Sequence, residues 1–147
     1  MTSETNILVV DTSANIRQAI KGILEKDGYQ VITASNKTVA FELIRTHNFD
    51  LAVIDLGLKD MRGLDVLAYL GECSPNTIAI ILTAHTSPAT LAQAMRLGAQ
   101  DYLFKPCQTI DLQRSITRAL KARQQKNRQS NLFYSLEQTE IPVQFKQ

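Results

Sequence analysis

Four apolar runs in this chain each stop at one polar residue: Ile7-Leu8-Val9-Val10 at Asp11, Leu51-Ala52-Val53-Ile54 at Asp55, Ile78-Ala79-Ile80-Ile81-Leu82 at Thr83, and Tyr102-Leu103-Phe104 at Lys105. Unbroken runs of this length read as strands covered on both faces. A shorter strand is expected at Val31-Ile32. Between the runs the apolar residues recur at helical spacing. A first helix carries Ile16, Ile20, Ile23 and Leu24 and closes at Asp27-Gly28, where glycine can take a left-handed cap. A second carries Val39, Leu43 and Ile44, and a third carries Leu64, Leu67 and Leu70 and ends near Gly71. A fourth has Ser87 as cap, Pro88 in its first turn, Leu91 and Met95 facing inward, and Gly98 as its stop. A fifth, with Leu112, Ile116 and Leu120, starts just after Lys105-Pro106.

Five strands alternating with five helices predict an α/β fold, a doubly wound parallel sheet with helices on two faces. Right-handed crossovers then favour the strand order 2-1-3-4-5 of flavodoxin-like folds. That order sets Asp11, Asp55 and Thr83 side by side at the carboxyl edge, with Lys105 one strand further out. Ligands bind at that edge in open α/β sheets. After about Gln125 the periodicity fades. Residues 1–125 are expected to form one domain, and 126–147 a helical extension bearing Leu132, Phe133 and Leu136, a linker or a disordered tail.

The chain's 147 residues suit a single core and need no staple. Cys73 and Cys107 lack metal or redox spacing and read as reduced thiols of a cytoplasmic protein. The first six residues carry no basic and apolar leader pattern, and no apolar run approaches the ~20 residues of a membrane span. Net charge is +2, yet Arg114, Arg118, Lys121, Arg123, Lys126 and Arg128 follow one another without an intervening acid. That series reads as a nucleic-acid patch or, more simply, as the solvated face of the last helix.

The strand-end cluster has a definite chemistry. Two neighbouring carboxylates repel, so an ammonium or a divalent cation is needed to hold both ionised. Lys105 supplies one charge. Magnesium suits the rest, because it takes one or two carboxylates, keeps several waters and commonly sits beside phosphoryl oxygens. Such a pocket can take a phosphoryl group on an aspartate, with lysine and metal as charge clamps and Thr83 as hydrogen-bond donor. Gly57 leaves room nearby and offers a backbone carbonyl to the metal.

At these residues the chain resembles a response-regulator receiver domain, the phosphoacceptor module of two-component signalling. The resemblance runs from about Ile7 to Arg123. It rests on Ile-Leu-Val-Val-Asp at 7–11, Asp50 to Asp55 followed by Gly-Leu-Lys-Asp-Met-Arg-Gly at 57–63, Leu-Thr-Ala at 82–84, and Leu-Gly-Ala-Gln-Asp-Tyr-Leu-Phe-Lys-Pro at 97–106. It implies that Asp55 is the phosphoacceptor, Thr83 the switch hydroxyl, Lys105 the phosphoryl-binding lysine and Tyr102 the switch aromatic. Asp11, Asp55 and the Gly57 carbonyl would hold Mg2+, Ala84 and His85 would form the rim, and the Lys105-Pro106 bond would be cis. The implied partners are a histidine kinase or phosphotransfer protein and a downstream protein target or output domain, with a homodimer open. No direct nucleic-acid or membrane contact is expected, and the domain is a signalling phosphoacceptor, not a turnover enzyme.

Two positions depart from the family pattern. Thr12 stands where a second acid usually follows Asp11, which weakens the expected magnesium site, and Lys59 replaces a frequent proline in the loop after Asp55. The Thr12 departure motivates an alternative, a phosphorylation-independent docking or dimerisation module. A second alternative is the input part of a larger regulator. His47 needs no more than a capping or surface role.

Overall fold

The computed structural model describes residues 4–57, 63–84 and 87–137. Its elements alternate strictly: β1 (Asn6–Val10), α1 (Ala14–Lys26), β2 (Gln30–Ala34), α2 (Lys37–Thr46), β3 (Leu51–Ile54), α3 (Gly63–Cys73), β4 (Ile78–Thr83), α4 (Pro88–Arg96), β5 (Ala99–Phe104) and α5 (Thr109–Glu137). The five strands form one parallel sheet in the order β2-β1-β3-β4-β5. Val10, Ile54 and Ile81 share a row, so Asp11 and Asp55 leave the sheet at the same level.

The central strands β1, β3 and β4 are almost wholly apolar because alternate residues feed two separate cores. Leu8, Val10, Ala52, Ile54 and Ile81 pack with Ala40, Ile44, Leu64, Leu67 and Leu70 from α2 and α3. Ile7, Val9, Val53, Ile80 and Leu82 pack with Ile20 and Leu24 of α1 and with Leu112, Ile116 and Ala119 of α5. β5 lies at the sheet's edge, and its pattern is correspondingly mixed: Ala99 is buried, whereas Tyr102 and Phe104 are exposed.

Helix ends follow the local chemistry. The side chains of Ser13, Asn36 and Ser87 accept from the amides of Ile16, Val39 and Thr90 and so cap α1, α2 and α4. Gly28 and Gly98 take φ values of 97° and 103° at the stops of α1 and α4, where a side chain would be strained. His47 is the C-cap of α2, with its ring stacked on Phe49. One sequence expectation fails in α4: Met95 is 44% exposed and does not face inward. The buried position is Ala94, whose small side chain lets the short helix lie close to the sheet, with Leu91 and Leu97 half-buried on either side.

α5 runs 29 residues, about 43 Å at 1.5 Å per residue. Residues 126–137 therefore continue the helix, and 138–147 lie outside the described residues. Arg123 pins the middle of this helix to the amino edge of the sheet. Its guanidinium donates to Asp50 Oδ1 at 2.8 Å and to the Asp50 carbonyl at 3.1 Å, while Asp50 Oδ2 accepts from the Asn6 amide at 2.8 Å. Positions 124–132 are exposed throughout.

Candidate functional site

Each carboxylate at the carboxyl edge is fixed from two sides. Asp11 Oδ1 accepts from the Ser13 amide at 2.9 Å, and Oδ2 accepts from Lys105 Nζ at 2.5 Å. Asp55 Oδ1 accepts from the Gly57 amide at 2.9 Å, and Oδ2 accepts from the same Lys105 Nζ at 2.8 Å. Asp11 thus combines a hydrogen bond at the start of α1 with a charge contact to Lys105. The Asp55–Gly57 bond is a strand-end turn made by the carboxylate itself.

The pocket is dry enough for these contacts to matter, with Asp11 3% and Asp55 8% exposed. Burial alone pulls the Lys105 pKa down, but its hydrogen bonds to Asp11 and Asp55, together with their charges, outweigh it and leave the ammonium above the ordinary lysine range. Two carboxylates and one ammonium leave the cluster with one net negative charge.

Thr83 is fully buried at the end of β4, and its carbonyl accepts from the Lys105 amide at 2.9 Å. Tyr102 lies one strand over on β5, level with Ile81, with its exposed ring edge-on to Phe104 at 5.5 Å between centroids. The Lys105-Pro106 bond is cis. Thr12 and Gly57 are exposed at the mouth, as is Ala84, while His85 and Lys59 lie outside the described residues.

A divalent cation fits this donor set in a reduced form. Two carboxylates converge on one point, the number magnesium commonly takes from a protein. The Lys105 ammonium is the cation they hold between them, and it marks where positive charge belongs. No cluster of three or more His, Cys, Asp or Glu suited to a metal occurs among the described residues.

Two residues join the site that sequence reasoning missed. Arg17, one turn into α1, donates from Nη1 to the Asp11 carbonyl at 2.7 Å and ties the loop bearing Thr12 to the helix. Gly63 opens α3 against the backbone of Asp55 and Leu56. A Cβ there would lie 2.2 Å from the Asp55 carbonyl oxygen and 2.6 Å from Leu56 Cα, so only glycine fits. A glycine closing the loop after Asp55 was the available signal for Gly63. Arg17 left none, since a bond to a main-chain carbonyl imposes no pattern. Beside Lys105 opens a mostly apolar hollow of about 530 Å³, walled by Ile16, Ile20, Ile23, Leu82, Pro106 and Leu112.

A doubly wound sheet with acids, hydroxyl and lysine at its carboxyl edge defines a class of protein, and sequence comparison agrees with it. The chain belongs to the response regulator receiver domain family, which it matches over residues 7–117. It is 40% identical over 118 residues to the alginate biosynthesis transcriptional regulatory protein AlgB of Pseudomonas aeruginosa, a match covering 80% of this chain and 26% of that protein. It is also 40% identical over 102 residues to the transcriptional regulatory protein KdpE of Mycobacterium tuberculosis, covering 69% of this chain and 45% of that one. The chain thus spans less than half the length of these relatives. Among solved structures, a CheY-like receiver domain from Methanospirillum hungatei superposes with a TM-score of 0.82 at 30% identity, covering 84% of this chain and 99% of that one. A Burkholderia pseudomallei response regulator, solved with a phosphorylated aspartic acid, calcium ion and citrate, gives a TM-score of 0.74 at 30% identity, covering 87% and 75% of the two chains. Among the described residues no helix is long and apolar enough to cross a membrane.

Proposed function

We propose that Asp55 accepts a phosphoryl group from a phosphorylated histidine of a kinase or phosphotransfer protein. The observation that carries this reading is the convergence of Asp11, Asp55 and Lys105 within 2.8 Å contacts at one sheet edge. A carboxylate oxygen of Asp55 attacks phosphorus, the P–N bond breaks, and its electron pair returns to the imidazole of the donor. Lys105 stays beside the reacting oxygen and neutralises charge that moves from the carboxylate to the phosphoryl oxygens. The Gly57 amide holds the carboxylate's orientation.

Asp11, Asp55 and the Gly57 carbonyl would hold magnesium, which would supply charge neutralisation at the phosphoryl oxygens. Thr12 adds no anionic oxygen to that set, so its affinity is reduced. Thr83 donates to the new phosphoryl oxygens, and Tyr102 turns inward from its exposed position, which alters the surface of α4, β5 and α5. The phosphorylated aspartate of the Burkholderia relative supports the assignment. We read residues up to about 125 as the receiver unit, 126–137 as its helical extension, and the cell interior as its place of action.

The test is incubation with acetyl phosphate and magnesium, followed by intact-mass and peptide mass spectrometry. One phosphoryl adduct on the peptide bearing Asp55, absent from Asp55→Asn, is expected. No adduct at saturating magnesium overturns the reading and leaves the phosphorylation-independent module.

A further inference from the structure

α5 presents an outward stripe with an unusual composition. Ile110, Arg114, Arg118, Lys121, Gln125, Arg128 and Leu132 fall within one narrow sector of the helix, opposite the buried Leu112, Ser115, Ile116 and Ala119. From Arg114 onward the steps are 4, 3, 4, 3 and 4 residues, the spacing of a coiled-coil seam. Four of those seam positions are basic. Of the six cations of α5 only Arg123 has an acidic partner; Arg114, Arg118, Lys121, Lys126 and Arg128 form no ion pair among the described residues.

The acids nearby are committed elsewhere. Asp101 on β5 accepts from the Tyr102 amide and from Ser115 Oγ, both at 2.8 Å. Asp111 sits in the first turn of α5, where a carboxylate serves the helix's positive end. No acid follows until Glu137. The stripe's two ends are apolar and open to solvent, with Ile110 45% and Leu132 63% exposed.

We propose that this stripe is a docking seam for an acidic helix of a partner protein, its Asp or Glu side chains at heptad positions facing the four cations and its apolar residues seated on Ile110 and Leu132. A second copy fits the stripe less well. Pairing α5 with itself in parallel stacks each cation on its twin, and antiparallel pairing centred on Arg123 sets Arg118 against Arg128. A nucleic-acid backbone would satisfy the cations but gives Ile110 and Leu132 nothing to pack on. The seam from Arg114 to Arg128 is about 21 Å long, so four turns of a partner helix cover it.

The experiment titrates the unphosphorylated full chain into a labelled synthetic helical peptide with glutamates at 4-3-4-3 spacing and a leucine at each end. Its comparators are the same peptide with glutamine for glutamate, a peptide with lysine for glutamate, and a mixed-sequence DNA duplex. The glutamate peptide is expected to bind at least about tenfold more tightly than the glutamine peptide, and about tenfold more weakly when salt rises from roughly 0.05 to 0.5 M. R118E/K121E is expected to lose the glutamate peptide and gain the lysine peptide. R118Q/K121Q, a milder change checked by circular dichroism, loses the glutamate peptide alone. Equal affinity for the glutamate and glutamine peptides, tighter binding to the duplex, or unchanged binding by either variant overturns the proposal, as does a dimer in sedimentation that R118E/K121E disperses. Asp55→Asn protein is expected to bind as the parent does, so this outcome is separate from that of the phosphorylation test.

Discussion

Lys105 gives the pocket its character because one ammonium serves two buried carboxylates. Lys105→Met leaves those carboxylates facing each other without a counter-ion and is expected to cost about 3 kcal/mol in denaturant unfolding. Because the folded state raises the lysine pKa, its contribution is fully present below the ordinary lysine value and is lost as pH rises through the higher folded one. The difference between parent and Lys105→Met should therefore hold steady through neutral pH and shrink only above about pH 10. Gly63→Ala, which drives a methyl into the Asp55 carbonyl, is expected to destabilise by about 2–3 kcal/mol on the same measurement. At this scale the charged members of the site were legible in the sequence because each one interrupts an apolar run. Gly63 showed only as a glycine closing the loop after Asp55, without its reason, and Arg17 left no signal, since a close backbone approach and a bond to a carbonyl depend on where another segment passes.

Among the elements, strands proved easier to read than helix faces. The three central strands are apolar on both sides and so stand out whatever their orientation, whereas α4 offered Met95 and Ala94 as adjacent candidates and periodicity favoured the larger side chain. Packing favoured the smaller one, because the separation of α4 from the sheet is set by what lies between them. The length of α5 was less plain: Leu132, Phe133 and Leu136 suited a helical extension or a tail equally, because the polar stretch leading to those last turns carries no periodicity. What fixes their direction is the Arg123–Asp50 pair. Both partners are about a third exposed, so Arg123→Gln is expected to cost no more than about 1 kcal/mol. Its clearer signature is local: faster amide hydrogen exchange in α5 beyond residue 120, with the change greatest toward the helix end.

Over the whole molecule, alternation and crossover handedness narrowed the strand order and the resemblance to receiver domains selected it, while the family followed from spaced motifs; the occupancy of the site by metal followed from none of these. Thr12→Asp tests it. Without metal, a third carboxylate facing one ammonium is expected to lower Tm. With magnesium, Tm should rise above its metal-free value by more than in the parent, because a ligand that binds only the folded state stabilises it in proportion to its affinity. A scan of Tm against magnesium concentration for both proteins checks the sign of each change.

The clamp at Arg123 also has a mechanical meaning. From that residue to Glu137 the helix is a straight arm of about 21 Å with its fulcrum at the sheet's amino edge. A tilt of about 10° at the fulcrum carries the tip through roughly 4 Å, close to the step between neighbouring residues along a chain. Because Arg123 lies midway along α5, a tilt of the whole helix moves its packed amino-terminal half just as far, so only a bend at the clamp moves the exposed end alone.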